Sequence, residues 1–302
     1  MAAGEDDIFH HVRDFPYFHL PGGIHLWLPK VLGFQLTKFM VLQVVAGLFL
    51  LLVFRGLSRR IASGQAARGG WWNFWETLAL YIRDNVVRPT IGNDGHHAHD
   101  GVEHGEHADH GHELAHGTAR AVYAHPADKY LPYVWTCFFY VLICNLLGAF
   151  PWLGSPTGEI NVTGALAFVT VVTVIVYGSQ RSGFVGFWRS LAPGMDLSPV
   201  MKLILVPVIW VIEFAGFIIK HGVLAIRLFA NMMGGHTVVA VIMLFIAIAA
   251  HSGSSWLYYV VVPSSIFGQI FVGTLELLFA FVQAYIFAFL ATLFIGMAVH
   301  PH

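Results

Sequence analysis

The sequence predicts an all-α polytopic membrane protein. About five transmembrane helices are expected, plus an amphipathic interfacial helix and a long tilted antiparallel helix pair at the C-terminal end. Three observations predict it. Of 302 residues, 16 are Lys or Arg and 17 Asp or Glu, so 11% are charged against roughly 25% in ordinary globular domains. Hydrophobic residues make up 57% and the mean hydropathy is +0.67. Several uncharged runs reach the ~20 residues a helix needs to cross the hydrocarbon core. This composition excludes a disordered chain, a nucleic-acid binder and an ordinary cytosolic enzyme. The net charge of −1 selects no partner by itself.

Residues 1–30 contain Glu5, Asp6, Asp7, Arg13 and Asp14 and no long apolar stretch, so no cleavable signal is visible. They are expected to form an outside segment, and the first apolar run a retained span over 31–56. Val31 to Phe54 carries one charge, Lys38, near its start. Tyr130 to Leu153 and Ile160 to Gln180 carry none, which predicts a transmembrane hairpin over 130–181. From Leu203 to His302 the only charges are Glu213, Lys220, Arg227 and Glu276. This tract, 200–302 with its start, is too long for one helix. It is expected to break at His251-Ser-Gly-Ser-Ser255, with Pro263 opening the last helix. Cys137 and Cys144 lie in an apolar run and read as small core hydrophobes.

Basic residues set the orientation. Arg55, Arg59 and Arg60 end the first span, Arg181 and Arg189 follow the third, and Lys202 precedes the fourth. Five spans put these sites on one side, with the N-terminus outside and the C-terminus inside. Residues 71–92 mix apolar positions with Glu76, Arg83, Asp84 and Arg88. They read as a helix in the cytoplasmic interface, with Trp71, Trp72 and Trp75 as headgroup anchors. The segment around Phe184 to Trp188 reads similarly. Residues 93–125 hold nine of the 18 histidines among acids and glycines, the pattern of a polar cytoplasmic loop. Two readings stay open there: a solvated insertion, or metal or pH sensing. His107, His110 and His112 have spacings that would chelate a transition metal weakly, with no scaffold for a structural site.

A charge at membrane depth costs at least about 2.5–3.5 kcal/mol, so each one in 200–302 is a functional candidate. Glu213, Lys220 and Arg227 are spaced by seven, which returns to within about 20° on a helix, so they share a face. Asn231 continues it. Glu276 and Gln283 are also seven apart. In an antiparallel hairpin, residues at equal depth have nearly constant index sums: 510 for Arg227 with Gln283, 512 for His236 with Glu276. One register therefore levels both pairs. Arg227 sits near mid-membrane beside Gln283, the His236–Glu276 layer lies toward the outside, and Glu213 lies about 21 Å inward of Arg227. His236 and Glu276 can exchange protons near neutral pH if their surroundings adjust their pKa values. Arg227 cannot, because guanidinium stays protonated. It acts as a barrier and as a cation that keeps a nearby carboxylate ionised. The chain has no second mid-membrane carboxylate to pair with it, so its partner is expected on another subunit.

These residues resemble a known family. The stretch PVIWVIEFAGFIIKHGVLAIRLFANMMGGH at 207–236, with its core RLFANMMGGH, resembles the fourth span of the F-type ATP synthase subunit a family. ELLFAFVQAYIFAFLATLFIGMAVHPH at 276–302 is similar to the last helix of that family. NLLGAFP at 145–151 and EINVTGALA at 159–167 are similar to its second-span exit and third-span start. The resemblance implies a proton-conducting stator subunit that is not an enzyme on its own. Two offset half-channels would lead to a carboxylate on the c-subunit ring. Arg227 matches the essential cation facing the ring, and His236 and Glu276 match the outer half-channel. Asn231 and Gln283 match polar positions near the arginine, Glu213 and Lys220 the inner half-channel, and Asn145 and Glu159 outer-side positions. His221 stands where some relatives carry proline. The implied partners are the c ring, the b subunits of the peripheral stalk, the rest of the synthase and the lipid membrane. The implied place is the bacterial inner membrane. No cofactor and no small-molecule substrate other than protons are implied. The alternative is a metal-ion transporter with a His-rich cytoplasmic loop. Its site would need paired His or Asp inside the membrane, where this sequence offers one His–Glu layer beside an arginine.

Overall fold

The computed structural model describes residues 17–20, 24–31, 34–62, 69–91, 125–150, 154–190, 199–251 and 255–299. Expectations for 1–16, for the histidine-rich stretch 93–124 with His107, His110 and His112, and for the side chain of Lys202 lie outside the described residues. Among the described residues the chain is all-α apart from two short antiparallel hairpins near its start. β1 (Tyr17–Leu20) pairs with β2 (Ile24–Trp27), and β3 (Lys30–Val31) with β4 (Phe34–Gln35). The first span, α1, runs Lys38–Ala62, so the apolar run from Val31 enters helix only after the second hairpin.

Next come α2 (Gly70–Ile82), a π-helical turn (Arg83–Val87) and α3 (Arg88–Ile91). A 3₁₀ turn (Pro126–Tyr130) leads into α4 (Leu131–Gly148), which opens with a proline in its first turn, where the missing N–H costs nothing. A second 3₁₀ turn (Pro156–Gly158) precedes α5 (Ile160–Ser182). Gly183, at φ 76°, ends α5 in the left-handed region that glycine reaches without strain. Then follow α6 (Phe184–Ser190), α7 (Pro199–His251) and α8 (Ser255–Val299). Among the described residues, five helices are long and apolar enough to cross a membrane.

Two local expectations change. Pro263 lies inside α8 and does not open it. Proline removes one backbone hydrogen bond, which a transmembrane helix tolerates when its neighbours compensate. Trp75 is no headgroup anchor: it is 3% exposed, packed on Phe49 of α1 and Phe139 of α4. The reason is that α2 beds against the helices and does not only rest on a lipid surface. Trp135 donates its indole N–H to the Ala79 carbonyl at 2.9 Å, and Tyr81 meets Tyr285 of α8. Trp71 stays exposed, and the Arg60 guanidinium lies 4.6 Å over the Trp72 ring. The π turn lets the consecutive Val86 and Val87 both be fully buried. It also brings Arg88 to both carboxylate oxygens of Asp128, at 3.1 and 3.0 Å, across forty residues of sequence. The Arg83 guanidinium beside Asp84 holds that carboxyl below its ordinary range, with Arg88 adding to the effect.

The core sits on α8, against which α4, α5 and α7 all pack. Many of its inward positions are small: Ala280, Ala284, Ala288, Ala291 and Ala298 are buried, beside the larger Phe287 and Ile295. Small side chains let helices approach closely where packing, not water exclusion, holds them together. At 53 residues α7 is about 80 Å long, against roughly 30 Å of hydrocarbon, so the α7–α8 pair must incline or project. Ala284 is fully buried, so Ala284→Leu overfills this seam, a change that costs about 1–3 kcal/mol in well-packed cores. The purified assembly should dissociate at a lower temperature than the parent. An unchanged dissociation temperature would show that the seam is loose.

Candidate proton path

The α7–α8 register follows from one contact. His236 Nδ1 lies 3.7 Å from Glu276 Oε1, and both side chains are only about one-sixth exposed. The contact is within ion-pair range and longer than a hydrogen bond. From it, Arg227 lies nine residues along α7 and Gln283 seven along α8, so the two sit within about 3 Å of one level. Gln283 is 3% exposed, and its amide nitrogen has no hydrogen-bond partner among the described residues. A Cβ on Gly235 would overlap the Glu276 carboxylate, so the missing side chain is what admits Glu276 against α7.

Arg227 is exposed and has no hydrogen bond or ion pair among the described residues. Glu213 and Lys220, on the same stripe of α7, are also exposed and likewise unpaired there. Asn231 is half-buried at the edge of the stripe. Gly216, Ala230 and Gly234 share this face, and the two glycines have open space where a side chain would be. The helix runs unbroken through His221, which is 2% exposed between Phe217 and Phe294. Its Nδ1 donates to the Phe217 carbonyl at 2.8 Å, since a carbonyl only accepts.

Asn145 is fully enclosed and anchors a buried polar chain. It donates from Nδ2 to the Ala280 carbonyl at 3.4 Å and accepts from the Thr157 hydroxyl at 2.7 Å. Thr157 has spent its hydrogen, so Ser155 donates to it, also at 2.7 Å. Ser155 and Thr157 escaped sequence reasoning because Gly154-Ser-Pro-Thr-Gly158 reads as an ordinary turn. Only packing shows that the turn is tucked in, with Gly148 leaving room for Ser155 and Met232. Glu159 is half-exposed at the start of α5 and accepts from Asn161. Among the described residues, no three His, Cys, Asp or Glu side chains cluster as a metal site.

The ATP synthase A chain family model matches residues 111–296. Over 97% of its length the chain is 34% identical to ATP synthase subunit a of Chloroherpeton thalassium, covering 76% of that protein. It is 34% identical to ATP synthase subunit a of Chlorobium phaeobacteroides strain DSM 266, covering 75%, and 31% identical to that of Myxococcus xanthus, covering 88%. The chain belongs to the ATP synthase A chain family. That family is the non-catalytic, proton-translocating membrane subunit of F-type synthases, and the five apolar helices agree with a multi-pass membrane protein. The metal-transporter alternative gains no support. Gly235→Ala should displace Glu276 and slow proton conduction by the assembled complex severalfold. Gly164→Ala, where a Cβ meets nothing, should leave it unchanged. Equal rates for the two variants would show that the close approach at Gly235 is not used.

Proposed function

We propose that this chain is the stator half of a proton-driven rotary motor, with Arg227 as the fixed cation between two offset half-channels. The observation that carries this reading is the exposed Arg227, without a counter-charge among the described residues, on a largely apolar helix. At membrane depth such a charge is costly unless something faces it. A ring of c subunits, each bringing one carboxylate, supplies that partner in turn. The cation keeps each passing carboxylate ionised and repels a proton moving straight across.

On this reading, protons reach the ring from outside through the His236–Glu276 layer. Gln283 and the Asn145–Thr157–Ser155 chain form the polar wall beside it, and Glu159 lies at the outer mouth. The buried oxygen of Glu276 and the buried amide of Gln283 have no hydrogen-bond partner among the described residues, which suits groups that meet water. Protons leave past Lys220 and Glu213, both open on the Arg227 face. Gly216, Ala230 and Gly234 let the ring helices come close to that face. The c ring, the b subunits and the rest of the synthase are the partners. The bacterial inner membrane is the place, with the N-terminus outside and the C-terminus inside.

Arg227→Ala should abolish proton-driven ATP synthesis while the complex still assembles with its ring. Retained synthesis at near the parent rate, in vesicles holding a measured proton gradient, would overturn the assignment.

A further inference from the structure

The end of the bundle that carries Arg181 holds a second group of charges that the proton path does not use. Lys129, in the turn before α4, and Arg181, in the last turn of α5, are both exposed. Between them stand Tyr130 and Tyr177, edge to face with ring centroids 4.8 Å apart. The Lys129 ammonium lies 5.8 Å from the Tyr130 centroid and 6.0 Å from that of Tyr177. Arg181 is one helical turn beyond Tyr177 on the same face, so its Cβ lies about 5–6 Å from that of Tyr177. The nearest carboxylate in sequence, Asp128, has both oxygens taken by Arg88. Among the described residues neither Lys129 nor Arg181 has a carboxylate partner, and neither tyrosine hydroxyl has an acceptor.

Two cations and two phenol groups thus converge without an acceptor at the rim of two membrane spans. Inward from that rim, α4 and α5 meet through long side chains, Tyr133 donating to Thr170 at 3.0 Å. Beside the seam α5 exposes Val169 and Val176. A ligand that fits both halves is anionic at one end and aliphatic along its length. We propose that this corner is a headgroup site for an acidic phospholipid, its phosphate held by Lys129 and Arg181 and its acyl chain lying along α5. Basic pockets between spans at a membrane surface favour such lipids, by roughly fivefold for each cation. The site does not depend on the role of Arg227.

The test uses the intact complex in phosphatidylcholine nanodiscs doped with phosphatidylglycerol that carries a photoactivatable group near its headgroup. Labelling of peptides spanning 125–135 and 173–183 is quantified by mass spectrometry. The parent should label there, and K129Q/R181Q should lose about tenfold or more. R189Q, which removes an exposed cation on α6, should label like the parent. Equal labelling of K129Q/R181Q and the parent would overturn the proposal. So would an equal loss in R189Q, which would mean bulk surface charge, or displacement by millimolar inorganic phosphate, which would mean a free anion. Should K129Q/R181Q not assemble, the parent decides alone: photoactivatable phosphatidylcholine must label these peptides far less than phosphatidylglycerol, and equal labelling refutes the site.

Discussion

An exposed guanidinium on a largely apolar helix, with no counter-charge among the described residues, is the constraint on which the rest of the structure turns. Alone in lipid, the chain would carry the full cost of Arg227 at that depth. Its stability is therefore linked to whatever faces α7. The fold leaves that face open by packing elsewhere. The small inward residues of α8 draw α4, α5 and α7 onto one side, and the Glu213–Lys220–Arg227 stripe remains outside the seam. On the proposed reading, burying Arg227 within the chain would demand an internal carboxylate and prevent the exchange of partners that rotation requires.

The layered chemistry follows from the same packing. Gly235 admits Glu276 to the surface of α7 and so fixes the His236–Glu276 layer. That layer sets the register that brings Gln283 level with Arg227. Asn145 ties α4 to α8 at Ala280, three residues before Gln283, and holds the Ser155–Thr157 turn in place. Groups that can gain and lose protons lie on one side of the arginine, and an exposed acid and base lie on the other. On the proposed reading, a permanent cation between two such regions separates them electrically without any moving part in this subunit.

Much of this was legible in the sequence because a helix converts residue number into angle and depth. The seven-residue spacing put Glu213, Lys220 and Arg227 on one face, and the index sums anticipated the His236–Glu276 pairing. What stayed hidden depends on neighbours. The tryptophans at 71, 72 and 75 look alike as interfacial anchors, yet only the packing of α2 against α1 and α4 buries Trp75. Pro263 signals a helix start in isolation, but α8 begins at Ser255 and runs through it. Ser155 and Thr157 look like turn residues until Gly148 and Asn145 draw the turn inward. The apolar run from Val31 holds no mark of the short hairpin that delays α1 to Lys38.

The central claim is that the Arg227 face of α7 meets the ring. It is tested most directly by disulfide trapping in the intact complex, with Cys137 and Cys144 replaced and single cysteines placed on this chain and on the ring helix. A cysteine at Ala230, exposed one turn from Arg227, should trap to the ring in high yield and yield adducts with several ring subunits as rotation proceeds. A cysteine at Phe168, on the exposed face of α5, should not. Trapping of the ring from position 168 and none from position 230 would contradict the account.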